Sequence, residues 1–171
     1  QWVCMGAASF TIFYGAARAV KETHWKRRLA WSTVANLSYI LFGATLMTPA
    51  GMSGAMLHMA FHAEIKILAF FCAGAVLCRT GREYIPDLAG LGRKMPVTFG
   101  CFTVAAVALV GIPPLAGFVS KWSLLSAAAD AGTPMAYLGA GVLLTAALLT
   151  AIYMFTTVSK AWFPSKSDDL R

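Results

Sequence analysis

Charge is scarce in this chain, and acidic charge is the scarcest. Only 12% of the 171 residues are charged, seven Asp and Glu against fourteen Lys and Arg. A soluble domain of this length carries about twice that charged fraction, which argues against a globular surface facing water. The four cysteines have no CxxC spacing and fall in or at the ends of apolar runs. Cys4, Cys72, Cys78 and Cys101 therefore read as buried thiols rather than as disulfides or a metal site. There is no nucleotide, flavin or iron–sulfur motif and no nucleophile–base pattern, so no cofactor and no catalytic centre is expected in the chain itself. There is no basic leader with a cleavage site, and the first apolar run already contains Gln1. That pattern argues against a signal peptide and for a fragment of a longer protein.

Long apolar runs are what the sequence has in abundance. Hydrophobic residues make up 58% of it, in stretches of about 20 residues, the length that crosses a bilayer as a helix. The runs are continuous and lack two-residue alternation, which excludes barrel strands. The fold class expected is all-α, a single polytopic membrane domain with about five transmembrane helices. The spans are drawn at 2–20, 29–48, 54–78, 97–129 and 135–163. The stretch "TPAGMSG" reads as the turn that ends the second span. The fourth span is interrupted by "GIPPLAG", between Gly111 and Gly117.

The basic residues test this map. Arg18, Lys21, Lys26, Arg27 and Arg28 flank the first connection. Arg79, Arg82, Arg93 and Lys94 sit in the third, and Lys160, Lys166 and Arg171 follow the last span. The second and fourth connections have no Lys or Arg. With five spans all twelve charges fall on one side, which the positive-inside rule makes cytoplasmic. This distribution accounts for most of the net charge of +7 and leaves no case for nucleic acid as a partner. The lipid bilayer is the expected surroundings.

Lys66 and Lys121 are the two basic residues left inside spans. An ionisable side chain at the bilayer centre costs ~2.5–3.5 kcal/mol on insertion scales, so such residues face protein or water and mark pathways. In "LHMAFHAEIKILAFF" the residues His58, His62 and Lys66 repeat every fourth position. They stack along one helix face, drifting by only about 40° per step. Imidazole titrates near neutral pH, and three ionisable groups in a row are what a proton wire needs. Interface hydrogen bonding is the bland reading of the same residues. Zinc is disfavoured because the stretch is "HMAFH" and not H-E-x-x-H, and haem because no facing histidine is evident. Glu64 lies on a different face and is read as a contact to another helix or subunit, or to an aqueous cavity.

A second group lies in "LVGIPPLAGFVSKWSLL". Pro113 and Pro114 remove two backbone donors, and Gly111 and Gly117 loosen the same region, so the helix is expected to break in mid-membrane. Broken helices are tolerated where the freed backbone lines a cavity or is buried in protein, and they recur at transporter ion sites. Lys121 follows the break, where its ammonium is expected to meet the positive end of the new half-helix. The alternative is a proline kink beside a snorkelling lysine. Ser32, Thr33, Asn36 and Ser38 give the second span a polar face that holds water near the wire or packs helices. Asp130 lies on the Lys/Arg-free side, as an exit-side acid or a loop residue.

Four blocks of this sequence resemble one family, in that family's order. "HWKRRLAWSTVANLSYILFG" resembles a "DIKRLLAYSSISQMGY" stretch, and "HMAFHAEIKILAFFCAGAV" resembles an "H…H-A-x-x-K…F-x-x-x-G" helix. "DLAGLGRKMP" is similar to the loop "D-x-x-G-L-x-x-x-M-P", and "LVGIPPLAGFVSKWSLL" to "L-x-G-I/L-P-P-x-x-G-F-x-S-K". The family comprises the antiporter-like proton-translocating subunits of respiratory complex I, of membrane-bound hydrogenases and of multisubunit cation/proton antiporters. The resemblance implies a part of a larger fold of fourteen helices built from inverted repeats, here the later part of the second repeat. It implies that His58, His62 and Lys66 belong to a central hydrophilic axis and that Lys121 is the lysine of the broken helix. Two departures stand out. "KETHWKRR" lacks the acidic residue before the basic pair, and Glu64 occupies a position that is commonly apolar.

The function expected is that of a proton-conducting subunit of a redox-driven complex, of the NADH or ferredoxin:quinone oxidoreductase or hydrogenase type. Flavin, iron–sulfur clusters and quinone belong on this reading to partner subunits, and no metal or cofactor to this chain. The rivals are a subunit of a sodium/proton antiporter and, from another class, a structural membrane subunit that conducts nothing. The richness in Ala and Gly hints at a bacterial source and hence the cell inner (plasma) membrane.

Overall fold

The structure, a computed structural model, describes residues 1–163; Lys166 and Arg171 lie outside the described residues. Helix dominates throughout. The elements are α1 (Trp2–Lys21), α2 (Trp25–Thr45), α3 (Pro49–Thr80), a short 3-10 turn (Ile85–Leu88), α4 (Leu91–Lys94), α5 (Pro96–Val110), α6 (Ala116–Asp130) and α7 (Pro134–Trp162). Three of them, α1, α3 and α7, are each long and apolar enough to cross a membrane alone.

Local chemistry sets the helix starts. Thr48 caps α3 by accepting the Gly51 N–H at 3.0 Å, and Thr133 caps α7 by accepting the Ala136 N–H at 3.3 Å. In both helices proline takes the first position, where its fixed φ suits the helix and its missing N–H costs nothing. "TPAGMSG" is therefore not a turn. It is the cap and opening turns of α3, which begins five residues before the apolar run starting at Gly54 and reaches 32 residues. Similarly, α2 takes in Lys26, Arg27 and Arg28 ahead of the apolar run that begins at Leu29.

The spans pack as a closed ring. α1 lies against α2 and α7, α2 against α3, α3 against both α5 and α6, and these two against α7. α5 and α6 run end to end along the length of α3 and together form one interrupted span. Small residues let the backbones approach, as expected where lipid offers no hydrophobic drive for helices to associate. Gly139 of α7, for example, lies directly under the ring of Phe42. Two apolar clusters fill the ring. One centres on Trp25, Phe99, Phe102 and Met154, with Trp25 stacked on Phe99 at 5.8 Å. The other centres on Ile12, Tyr39, Phe42, Leu124 and Leu143. The outward faces carry exposed Phe10, Leu41, Met56, Phe71, Leu138 and Leu148, as a lipid- or protein-facing surface requires.

Three connections meet at one end. Trp25 N–H donates to Glu83 O, Ile85 N–H to Thr23 O, and Gly90 N–H to Lys160 O, while His24 Nε2 faces Glu83 Oε2 at 3.2 Å. The basic residues of the α1–α2 loop, the α3–α5 connection and the end of α7 therefore share that end. Arg28 locks it from inside. Its guanidinium is buried and donates to Glu22 O at 2.9 Å, to Tyr153 O and Thr157 Oγ1 at 3.0 Å, and to Val20 O at 3.3 Å. Only the fixed fork of arginine serves so many acceptors at once. Cys72 alone of the four thiols is buried. Cys4, Cys78 and Cys101 are exposed because their positions fall on outward helix faces, which corrects the expectation of four buried thiols.

Replacing Arg28 with Met should destabilise the protein by about 1.5–3 kcal/mol, the worth of hydrogen bonds made by a charged group. Thermal unfolding in detergent checks this, with Arg27→Met, at a less buried neighbouring position, expected to change little.

Candidate functional site

α3 carries three ionisable side chains on its inward face. His58, His62 and Lys66 are 3%, 5% and 6% exposed, four residues apart on a helix whose outward face is open. The two imidazoles lie nearly parallel, centroids 5.9 Å apart. His58 Nδ1 meets Ser120 Oγ of α6 at 2.9 Å, and its ring tilts against Tyr39 of α2 at 5.4 Å. Lys66 reaches across to α2, where its ammonium donates to Leu29 O at 2.9 Å and to the Ser32 hydroxyl. Ser32 is thus a direct partner of Lys66. Asn36, one turn further along α2, is 1% exposed and faces the histidines through a shared small cavity.

The break between α5 and α6 brings in Lys121. Gly111 ends α5 with φ 89°, a left-handed conformation that a side chain at this position would strain. Gly117 sits in the first turn of α6 so close to α5 that an added Cβ would run into the carbonyl oxygen of Ala108. Between them lie Pro113 and Pro114. Lys121 lies in the second turn of α6 and its side chain turns back. Its Nζ donates to Leu109 O at 2.7 Å and Val110 O at 3.0 Å, and lies 5.8 Å from the centre of the Tyr39 ring. The ammonium therefore does not meet the positive end of α6, as its place in the sequence suggests. It caps the negative, carbonyl end of α5. The reason is geometric: a long side chain one turn into a helix points back toward that helix's N-terminus, and here α5 ends there.

The structure thus gathers His58, His62, Lys66 and Lys121, with Ser32 and Asn36, at the junction of α2, α3 and the break. It does not bring in the two acids. Glu64 is exposed on the outward side of α3, and Asp130 is exposed at the end of α6. Among the described residues no three His, Cys, Asp or Glu side chains gather as a metal would require. Sequence reasoning missed Ser120 and Tyr39. Ser120 stands in the quoted "GFVSKW" block directly beside Lys121, and that adjacency was the available signal. Tyr39 carried none, because its hydroxyl donates to Leu143 O at 3.0 Å across the ring, a contact that no sequence spacing reveals.

Two cavities adjoin Lys121. A larger one of about 220 Å³ opens between α6 and α7, lined by Tyr39, Gly111, Phe118, Trp122, Leu143 and others. A smaller one, about 10 Å³, lies between Lys121 and the histidines. The family described as "NADH:quinone oxidoreductase/Mrp antiporter, TM" matches residues 1–150. The chain belongs to that family. It is 37% identical over 155 residues to NADH-quinone oxidoreductase subunit N of Desulforudis audaxviator, covering 91% of this chain and 30% of that protein. It is 38% identical over 155 residues to F(420)H(2) dehydrogenase subunit N of Methanosarcina mazei, covering 85% and 31%. Among solved structures it superposes on a chain of the Mrp complex from a Dietzia species with TM-score 0.90 and 32% identity, over 96% of this chain and 30% of that one. It superposes on a chain of respiratory complex I from Thermus thermophilus with TM-score 0.87 and 25% identity, over 95% and 34%. The chain spans about a third of the length of the relatives it matches. It is a multi-pass, all-α membrane protein of the antiporter-like family.

The tight contact at the break is testable. Gly117→Ala should push α5 and α6 apart at a cost of about 1–3 kcal/mol, the usual range for overpacking. Hydrogen exchange should then quicken across residues 115–121. Gly141→Ala, where an added Cβ meets open space, should be neutral or stabilising by up to about 1 kcal/mol.

Proposed function

We propose that this chain is the proton-conducting part of an antiporter-like subunit in a redox-driven membrane complex, of the quinone oxidoreductase or hydrogenase type. The observation that carries the reading is the buried row of Lys66, His62 and His58 on α3, with Lys121 of the broken helix across a small shared cavity. Lys66 would exchange protons with the histidines, and Lys121 would pass them to the wider cavity between α6 and α7. Ser32 orients Lys66 and Asn36 faces the histidines. Family membership supports the same reading, since both named relatives are subunits of oxidoreductases or dehydrogenases.

The neighbours follow from this assignment. Other membrane subunits cover part of the exposed apolar surface, and lipid covers the rest. Flavin, iron–sulfur and quinone chemistry belong to those partners. The basic end faces the cytoplasm by the positive-inside rule, in the plasma membrane of a bacterial cell. The five spans form the later part of the second repeat of a larger inverted-repeat protein. A sodium/proton antiporter subunit is the second reading; the description of the matched family includes an antiporter.

The test uses the intact parent complex in liposomes, with proton uptake and redox turnover recorded together. Lys66→Ala and Lys121→Met should each cut proton transfer to below about a tenth, the scale expected when a positioned proton-transfer group is lost. Wild-type transfer in both variants would make the chain a structural subunit. Uptake that stops when sodium is withdrawn would move the assignment to a sodium/proton antiporter.

A further inference from the structure

The small cavity between the histidines and Lys121 has the size of one water molecule. Its volume of about 10 Å³ is near the minimum that admits a single water. Asn36, His58, His62 and Lys121 all line it, beside Ala108 and Gly117. Three polar atoms on these side chains have no protein partner although each is fully buried: Asn36 Oδ1, His58 Nε2 and His62 Nε2. Buried polar atoms left unpaired are costly, and three of them on one cavity wall point to a shared partner.

The surrounding hydrogen bonds fix which of these atoms accept and which donate. Asn36 Nδ2 donates to Ser32 O at 2.7 Å. A carbonyl takes only a donor, so the amide oxygen is the end left free. The Ser120 hydroxyl donates its one hydrogen to Gly117 O at 3.2 Å, so in its 2.9 Å contact with His58 Nδ1 the ring nitrogen is the donor. A neutral imidazole with its hydrogen on Nδ1 has a lone pair on Nε2. Lys121 spends two of its three ammonium hydrogens on Leu109 O and Val110 O and keeps one.

We infer that one bound water links Lys121 to His58 and that Asn36 is the residue that orients it. The water donates one hydrogen to Asn36 Oδ1 and the other to His58 Nε2, and the two lone pairs of its oxygen accept the third hydrogen of Lys121 and one from His62 Nε2. The site makes four hydrogen bonds, within the range of two to four usual for a buried water. Transfer through it balances: Lys121 gives a proton to the water oxygen as the water gives one to His58 Nε2. Lysine is left neutral, the imidazole becomes imidazolium, and the water is restored. The reverse step retraces the same bonds. Asn36 touches the water and neither loses nor gains a proton, so it is a positioning residue. Among the described residues its amide oxygen is the only carboxamide or carboxylate oxygen on the cavity wall, which suits a water better than a sodium ion. The inference rests on the proton-path reading above.

The experiment compares the intact complex with Asn36→Leu, which keeps the bulk and removes the acceptor, and Asn36→Ser, which restores an oxygen. Asn36→Leu should slow proton transfer by about tenfold or more, as loss of a correctly placed transfer partner does, with subunit assembly unchanged. Asn36→Ser should recover at least half of the wild-type rate. Difference infrared spectra of the wild-type complex should contain a water O–H band that shifts in heavy-oxygen water and is missing in Asn36→Leu. Wild-type transfer in Asn36→Leu, or Asn36→Ser as slow as Asn36→Leu, overturns the assignment. So does a wild-type spectrum without the isotope-sensitive band, a readout that needs no variant to fold. If Lys66→Ala and Lys121→Met also transfer at wild-type rate, the proton path itself fails. If they are slow and Asn36→Leu is not, only the water site is wrong.

Discussion

A backbone carbonyl inside a bilayer has no water to turn to, and the architecture of this protein follows from that. Intact helices answer the demand along α1, α2, α3 and α7. The interrupted span cannot. Where α5 stops, its last carbonyls lose their partners in the following turn, and Lys121 supplies donors to two of them, Leu109 and Val110. The group that completes the broken helix is therefore the group to which the proposed path assigns a proton. On the proposed function, holding the break and passing charge are coupled in one side chain, and Gly111 and Gly117 provide the turn and the close approach that let α6 offer it.

The rest of the site is arranged around that junction. α3 is long enough to run beside both halves of the broken span, so residues four apart on one of its faces can reach α2 at one point and α6 at another. Lys66 turns to Ser32 and Leu29 of α2, and His58 turns to Ser120 of α6. Lys66 and His58 are each tied to a neighbouring helix, His62 stacks on His58, and none of the three faces the outer surface. Glu64 shares the helix but projects outward. The same periodicity that collects three side chains excludes the fourth.

The end with the basic connections is stitched by backbone hydrogen bonds between loops and by the Arg28 fork, which ties α2 to the end of α1 and to α7. That end holds the ring closed at its rim, and the break lies away from it. Near the break, α6 and α7 part enough to leave the larger cavity beside Lys121.

What the sequence by itself determined was the helical class, the membrane environment and the interruption near "GIPPLAG", because continuous apolar runs and paired prolines act locally. The spacing of His58, His62 and Lys66 told of one shared face for the same reason: helical periodicity needs no partner. Tertiary structure alone decided the partners and several directions. Thr48 and Pro49 turned an expected loop into the start of α3. Cys4, Cys78 and Cys101 lie outside and Cys72 inside because helix rotation within the ring, set by packing, selects the buried face. Lys121 caps α5 instead of meeting the dipole of α6, because the end of another helix happens to lie within reach of its side chain. Ser120, Tyr39 and Asn36 join the site through contacts between residues far apart in the chain, and only the closing of the ring brings those together.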